Sequence, residues 1–336
     1  MRASAIAHPN IALIKYWGKR ETATNLPAVG SLSVTLGGLK TETTVEFDPD
    51  LSEDILILNG QAQAAEQGRL AACLDALREL AGERCRASVM SRNDFPTGAG
   101  LASSASGYAA LVRAGAAALG IEATEPRLLD IARIGSGSAP RSMFGGFVLL
   151  QNTDDGTWCE QILAPDDWPL GVVVAVTSEE AKHVTSRDGM ERSRLTSPYY
   201  DAWITTHAAD LKQALKIVRE CDFPALAELA EHNCLKMHSV MLTTRPALMY
   251  WSPTTLACMH RVAEMRRQGV PVFFTVDAGP QVKAICLPEA TEEVAAALQD
   301  ISGVIRILAG GLGAGARLID QPPVHASPID KARGAR

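Results

Sequence analysis

Five short stretches of the chain hold residue types whose spacing could do chemistry. In Pro96-Thr-Gly-Ala-Gly-Leu-Ala-Ser-Ser-Ala-Ser106, Gly98 and Gly100 let a backbone turn tightly and approach a ligand just before a run of helix formers. A helix opening there would offer free N–H groups and the positive end of its dipole to an anion. Ser103 and Ser104 would add hydroxyls for phosphate oxygens or magnesium. A glycine turn before an alanine-packed helix uses the same residues without a ligand. No Gly-Lys-Ser/Thr follows, so this is not a Walker loop. Lys15-Tyr-Trp-Gly-Lys-Arg20 ends a strand in three cations and two aromatics, although Lys19 and Arg20 could simply face solvent and Trp17 fill a core. Ser136-Gly-Ser-Ala-Pro-Arg141 combines two hydroxyls with a guanidinium whose fork matches a carboxylate. A plain turn beside a surface arginine is the alternative, and Pro140 removes one N–H donor. Thr185–Met190 reads as a polar loop. Asp277 follows the apolar run Pro271–Val276 and precedes Ala-Gly-Pro, so it is either an acid facing a cleft from a sheet edge or a turn-initiating aspartate.

These stretches need elements to hold them. Strands are expected at 11–14, 31–37, 41–47, 55–58 and 86–90, from β-branched content and alternation. A strand also begins at 145–150, and the apolar run 170–176 is a buried strand. An apolar stripe through Leu70, Cys73, Leu74 and Leu77 predicts a helix over 63–81. Small residues predict another over 101–119, ending at Gly120, and 125–134 follows. Helices at 198–220, 223–241 and 254–268 dominate beyond residue 180. Strands at 270–277 and 282–287, a helix at 290–300 and strands at 304–308 and 316–320 complete the chain. The last two would pair as a hairpin across Gly310–Gly315, which no helix pattern follows, so it is not a dinucleotide loop. The interleaving lacks regular βαβ spacing, which predicts α+β layers.

Composition narrows the function. A length of 336 residues fits about two domains, and 47% hydrophobic content is enough for full cores. A net charge of -6 excludes a long-range basic field for nucleic acid, so an anionic ligand must be held by a local cluster of donors. Seven scattered cysteines without a C-x-x-C predict reduced thiols in a cytoplasmic protein. The seven histidines show no paired metal spacing. Neither a signal peptide nor a membrane span is expected.

Asn93–Ser106 resembles the phosphate loop of the GHMP kinase superfamily, in the form of the mevalonate diphosphate decarboxylases. Four further segments agree with that family in order and spacing: Asn10–Arg20, Gly135–Phe147, His183–Met190 and Phe274–Pro280. They span nearly the whole chain. The resemblance implies an α+β fold, GHMP kinase-like, with two-layer halves around a single deep active-site cleft. A shift near residue 180 from a strand-rich to a helix-rich half divides the chain into 1–180 and 181–320, and paired prolines with a basic end make 321–336 a tail; the resemblance implies that the first half is the ATP-binding domain and that the second carries the catalytic aspartate.

The activity implied is ATP-dependent decarboxylation of mevalonate 5-diphosphate to isopentenyl diphosphate, by phosphorylation of the C3 hydroxyl. ATP and Mg²⁺ are the implied cofactors. Asp277, Lys15 and Arg141 match catalytic positions. Asp277 would orient the hydroxyl and accept its proton late, Lys15 would keep Asp277 ionised, and Arg141 would align the substrate carboxylate. Asn10, Tyr16, Lys19, Ser136, Ser138, Arg141, Ser186, Arg187 and Met190 match substrate positions. Pro96, Gly98, Ala99, Gly100, Leu101, Ala102, Ser103 and Ser104 match the ATP-phosphate cradle, with Ser104 also on the metal. Trp17 reads as packing. The partner is then a small molecule, with neither nucleic acid nor membrane, and a homodimer is compatible. Rival readings are a decarboxylase of the monophosphate, a mevalonate kinase-type phosphotransferase and a non-catalytic ligand sensor. Lys15, Arg141 and Asp277 together favour decarboxylation, and Lys19 and Arg187 favour the diphosphate.

Overall fold

The computed structural model describes residues 1–22, 24–63, 67–95, 103–122, 124–153, 156–180 and 182–320. Pro96, Gly98, Ala99, Gly100, Leu101 and Ala102, and the expected tail 321–336, lie outside them. In chain order the first elements are β1 (Arg2–Ala7), β2 (Asn10–Ile14), β3 (Lys19–Glu21), β4 (Leu26–Pro27), β5 (Ser31–Thr35), β6 (Thr41–Asp48), β7 (Ile55–Leu58) and β8 (Gln61–Ala62). Then come α1 (Gln67–Ala81), β9 (Arg86–Asn93), α2 (Ser103–Ala118), α3 (Arg127–Gly135), the one-turn α4 (Ala139–Ser142), β10 (Phe147–Thr153) and β11 (Gly156–Leu163). The rest is β12 (Gly171–Val176), α5 (Ser186–Thr196), α6 (Tyr200–Glu220), α7 (Phe223–Leu242), α8 (Pro253–Arg267), β13 (Val272–Val276), β14 (Val282–Cys286), α9 (Thr291–Gln299), β15 (Arg306–Gly310) and β16 (Arg317–Ile319).

Among the described residues three larger sheets carry the molecule, beside the two-stranded pair β3-β4. The first runs β16-β1-β6-β9-β7-β8, antiparallel except where β7 lies parallel to β9. Val45, Phe47 and Val89 on its inner face pack with Leu74 and Leu77 of α1, Leu111 of α2 and Ile131 of α3. Alanines at 105, 109, 110 and 114, all fully buried, give α2 a smooth face for this packing. The second sheet is β11-β10-β5-β2 and the third β13-β14-β12-β15, both antiparallel. Leu32, Val34 and Leu149 of the second share one core with Val172, Val174 and Phe273 of the third and with Leu211, Leu226 and Leu229 of α6 and α7. The opposite face of the third sheet, Val173, Ala175 and Phe274, packs on Cys258 and Val262 of α8 and Val294 and Leu298 of α9. A sheet covered on both faces needs apolar residues at every position, which is why 170–176 reads as a continuous run.

Two expectations change here, and we propose to move a third. The third sheet claims β12, whereas a division near residue 180 leaves that strand in the first half. We propose that the division falls instead in the 164–170 connection. The 304–308 and 316–320 strands do not form a hairpin: β15 pairs with β12 and β16 with β1. The glycine run between them crosses from sheet to sheet against other backbone, with Gly313 N–H donating to Thr35 O (2.8 Å) and Gly37 N–H to Gly311 O (2.8 Å). A Cβ on Gly313 would meet Gly37 N and Leu36 C at 2.8 Å, so glycine serves close approach here and not a turn. Finally, the expected polar loop at Thr185–Met190 is the start of α5.

Candidate active site

A cavity of about 1070 Å³ opens between the first sheet with its helices and the third sheet with α5 and α7. Asn10, Lys15, Tyr16, Lys19, Ser103, Ser104, Ser136, Ser138, Arg141, Ser186, Arg187, Met190 and Asp277 all line it. Every described residue that the sequence nominated is therefore brought to one cavity.

Asp277 leaves the end of β13, and Lys15 leaves the end of β2. Lys15 Nζ donates to Asp277 Oδ1 at 2.7 Å. Lys283 on β14 stands 3.2 Å from the other oxygen, Oδ2. Both lysines are only 1% exposed, which would be costly for unpaired cations. Burial disfavours the Asp277 carboxylate, but Lys15 and then Lys283 outweigh it and hold the carboxyl well below the usual range. One face of α7 brackets the pair. Asn233 Oδ1 accepts the Lys15 N–H at 2.8 Å, and Asn233 Nδ2 donates to Asp210 of α6 at 2.7 Å. One residue on, the Cys234 thiol accepts the Val276 N–H (3.2 Å). His238 Nε2 donates to Val276 O (3.1 Å), and burial lowers its pKa to about 4, so the ring is neutral.

Arg141 is 4% exposed and sits in α4, where Pro140 occupies the first turn and its missing N–H breaks no helical bond. Arg141 Nε donates to Asn10 Oδ1 (2.9 Å) and Nη1 to Ser31 Oγ (2.7 Å). Asn10 Nδ2 in turn donates to Ser138 O (3.1 Å) and Ser142 Oγ (2.7 Å), fixing the start of β2 to this loop. A buried guanidinium meeting neutral acceptors is suited to an incoming anion.

Ser136 Oγ lies 3.3 Å from both Ser138 Oγ and Ser104 Oγ, so the opening of α2 adjoins the Ser136–Arg141 loop. Tyr16 is packed over Gly137, where an added Cβ would meet its Oη at 2.6 Å, and burial keeps its phenol protonated. Lys19 Nζ and Arg187 Nη2 both donate to Asn25 Oδ1, at 2.6 and 3.0 Å. Burial first, and Arg187 second, lower the Lys19 pKa to about 8. Met190 belongs to an apolar cluster with Trp17, Tyr200 and Met237. Trp17, expected as packing, both joins that cluster and lines the cavity.

Lys182, Lys283 and Asn25 were missed by the sequence reading. Lys182 Nζ donates to Ser186 Oγ (3.2 Å), and burial, then Lys283, lowers its pKa to about 8. It stood in a polar stretch with no signal to mark it. Lys283 had one: a lone lysine inside Val282–Cys286, whose other residues are apolar. Asn25 had none beyond a turn-like setting.

The donor set suits a polyanion. Ser104 presents an exposed hydroxyl at the start of α2, a hard oxygen of the kind magnesium accepts. Among the described residues no group of three or more His, Cys, Asp or Glu could hold a metal.

Comparison with known proteins agrees with this layout. Residues 7–160 match the diphosphomevalonate decarboxylase-like N-terminal domain, and residues 172–307 match the mevalonate 5-diphosphate decarboxylase C-terminal domain. The Homo sapiens diphosphomevalonate decarboxylase is 38% identical over 313 residues, covering 86% of this chain and 78% of that protein. The Haloferax volcanii phosphomevalonate decarboxylase is 34% identical over 330 residues, covering 96% and 98%. The solved structure of MDDEF in complex with MVAPP, AMPPCP and magnesium superposes with a TM-score of 0.87 at 40% identity, covering 96% of this chain and 99% of that one. With both halves matched in order and the whole fold shared, the chain belongs to the diphosphomevalonate decarboxylase family.

Proposed function

We propose that the chain catalyses ATP-dependent decarboxylation of mevalonate 5-diphosphate to isopentenyl diphosphate, releasing ADP, phosphate and CO₂. The observation that carries this reading is the Asp277 carboxylate held between Lys15 and Lys283 in the cavity that Arg141 also lines. MVAPP and AMPPCP, bound together in the related structure, correspond to the substrate and to an ATP analogue.

A tertiary hydroxyl is a poor leaving group at neutral pH, so it must first become a phosphate ester. Transfer passes through a loose transition state in which alignment outweighs base strength. Asp277 accepts a hydrogen bond from the C3 hydroxyl, aims it at the γ-phosphate and takes its proton late. Lys15 and Lys283 keep Asp277 anionic until that proton arrives. The ester then breaks at C3, positive charge develops there, and the C–C bond to the carboxylate supplies the electrons of the alkene as CO₂ departs. Arg141 holds that carboxylate in the required orientation. Tyr16, Lys19, Ser136, Ser138, Ser186 and Arg187 hold the diphosphate, Asn10 steadies Arg141, and Met190 walls the pocket. Ser103, Ser104 and the 96–102 segment hold the ATP phosphates. Magnesium, when bound near Ser104, neutralises phosphate charge.

The Haloferax relative favours a second reading, with the monophosphate as substrate. Purified protein with ATP, Mg²⁺ and each of mevalonate, its monophosphate and its diphosphate tests both, with ADP and CO₂ followed separately. We expect equal ADP and CO₂ from the diphosphate. ADP without CO₂ would identify a kinase, preference for the monophosphate would establish the second reading, and no turnover would favour a sensor.

A further inference from the structure

Lys19 lies on β3 and Arg187 in the first turn of α5, far apart in sequence, yet both meet one oxygen. Asn25 Oδ1 accepts from Lys19 Nζ at 2.6 Å and from Arg187 Nη2 at 3.0 Å. The tips of two long cations can then be no farther apart than these distances laid end to end. Like charges this close repel, and each side chain has rotamer freedom to lose on being fixed. A neutral amide oxygen cannot cancel their charge, and Asp188 and Glu191 each favour the Lys19 cation less than Arg187 opposes it, so the arrangement favours an anion between the tips.

Asn25 is built to hold this position. It is 3% exposed, and its Nδ2 donates to Arg133 O (3.2 Å) and Ile134 O (2.7 Å) at the end of α3. Its backbone is left-handed, with φ 56°, a conformation asparagine tolerates better than most residues. We infer that Asn25 is a positioning residue for substrate choice: by gathering Lys19 and Arg187 at one point, it makes the site select a diphosphate over a monophosphate. The inference rests on the reading above that these two cations hold the diphosphate.

Asn25→Gly removes the side chain without straining the backbone, because glycine accepts a positive φ. Asn25→Asp instead places a fixed negative charge against the two cations, where it competes with the diphosphate. Steady-state kinetics with both substrates, and inhibition by inorganic pyrophosphate and by inorganic phosphate, give the readout. For both variants we expect KM for mevalonate 5-diphosphate to rise about tenfold with kcat nearly unchanged, a loss of ~1.4 kcal/mol in binding. Pyrophosphate inhibition should weaken alongside, while phosphate inhibition and the monophosphate's KM change much less. Equal losses for both substrates, or a fall in kcat at constant KM, would overturn the inference, since either describes general loop damage. If Asn25→Gly fails to fold, by thermal melt and ATP-analogue binding, Asn25→Asp decides by the same ratio. Failure of the wild-type chain to turn over the diphosphate would instead remove the functional reading itself.

Discussion

Asp277 presents both oxygens to cations, Lys15 on one side and Lys283 on the other. Such a carboxylate is a weak base and a well-aimed acceptor, which suits a loose phosphoryl transfer. Asp277→Asn keeps the shape and loses the charge, so kcat should fall by ~10²–10⁴ while ATP-analogue affinity stays within a few fold. Near-normal turnover in a folded variant would reduce Asp277 to a turn residue. Lys283→Met takes away one of the two cations that hold the Asp277 carboxyl down. Its pKa should rise towards the usual value, moving the acid limb of the kcat–pH profile to higher pH; an unmoved limb would deny the coupling. Lys19 titrates near pH 8 because burial and Arg187 both disfavour its charge. Its cation is present below that pH and lost above it. KM for the diphosphate should therefore climb between pH 7.5 and 9, and Lys19→Arg should flatten much of that climb. Lys182, also near 8, accounts for what remains.

At the scale of elements, what the sequence hid was mostly a matter of partners. β12 and β13 were legible because burial on both faces leaves an apolar run that only a strand explains. β1, Arg2-Ala-Ser-Ala-Ile-Ala7, was not, since small residues carry little periodicity even where Ala5 and Ala7 are fully buried. The glycines at 310–315 showed a special backbone but not which neighbour required it. The described residues nominated inside the five matching segments line one cavity. Lys283 and Asn25 were missed because their meaning comes from Asp277 and from two distant cations. The start of α5 could have been read: Thr185-Ser-Arg-Asp188 has the spacing of a capping box. Thr185 Oγ1 accepts the Asp188 N–H at 3.2 Å and donates to Asp188 Oδ2 at 2.8 Å. This cap fixes the turn that carries Ser186 and Arg187. Thr185→Ala should lower unfolding stability by about 1 kcal/mol. It should also raise KM for the diphosphate, measured beside a thermal melt. A loss of stability with KM unmoved would mean that Arg187 is held independently of the cap.

Charge is distributed unevenly over the whole molecule. The net value is -6, yet Lys15, Lys19, Arg141, Lys182, Arg187 and Lys283 converge on one cavity or its floor. Among the described lining residues, Asp188 and Asp277 are the carboxylates that face them, and Asp277 is already engaged by two lysines. The shared core of the second and third sheets fixes this convergence, because β2, β12, β13 and β14 bury their side chains in it together and cannot separate without exposing it. An excess of cations in a walled cleft attracts a polyanion over a distance set by ionic strength, about 10 Å at 0.1 M salt. The acidic outer surface repels it, so the attraction is local. Mevalonate 5-diphosphate carries several charges and mevalonate one. Raising salt from 50 to 300 mM should therefore weaken binding of the diphosphate substantially more than binding of mevalonate, as followed by titration calorimetry at constant pH. Lys19→Met should lessen the diphosphate's salt dependence and leave that of mevalonate nearly as it was, because mevalonate has no diphosphate for Lys19 to meet and offers its carboxylate to Arg141. Equal salt dependence for the two ligands would show that the cations of the cleft are compensated within the protein, and that the diphosphate is held elsewhere.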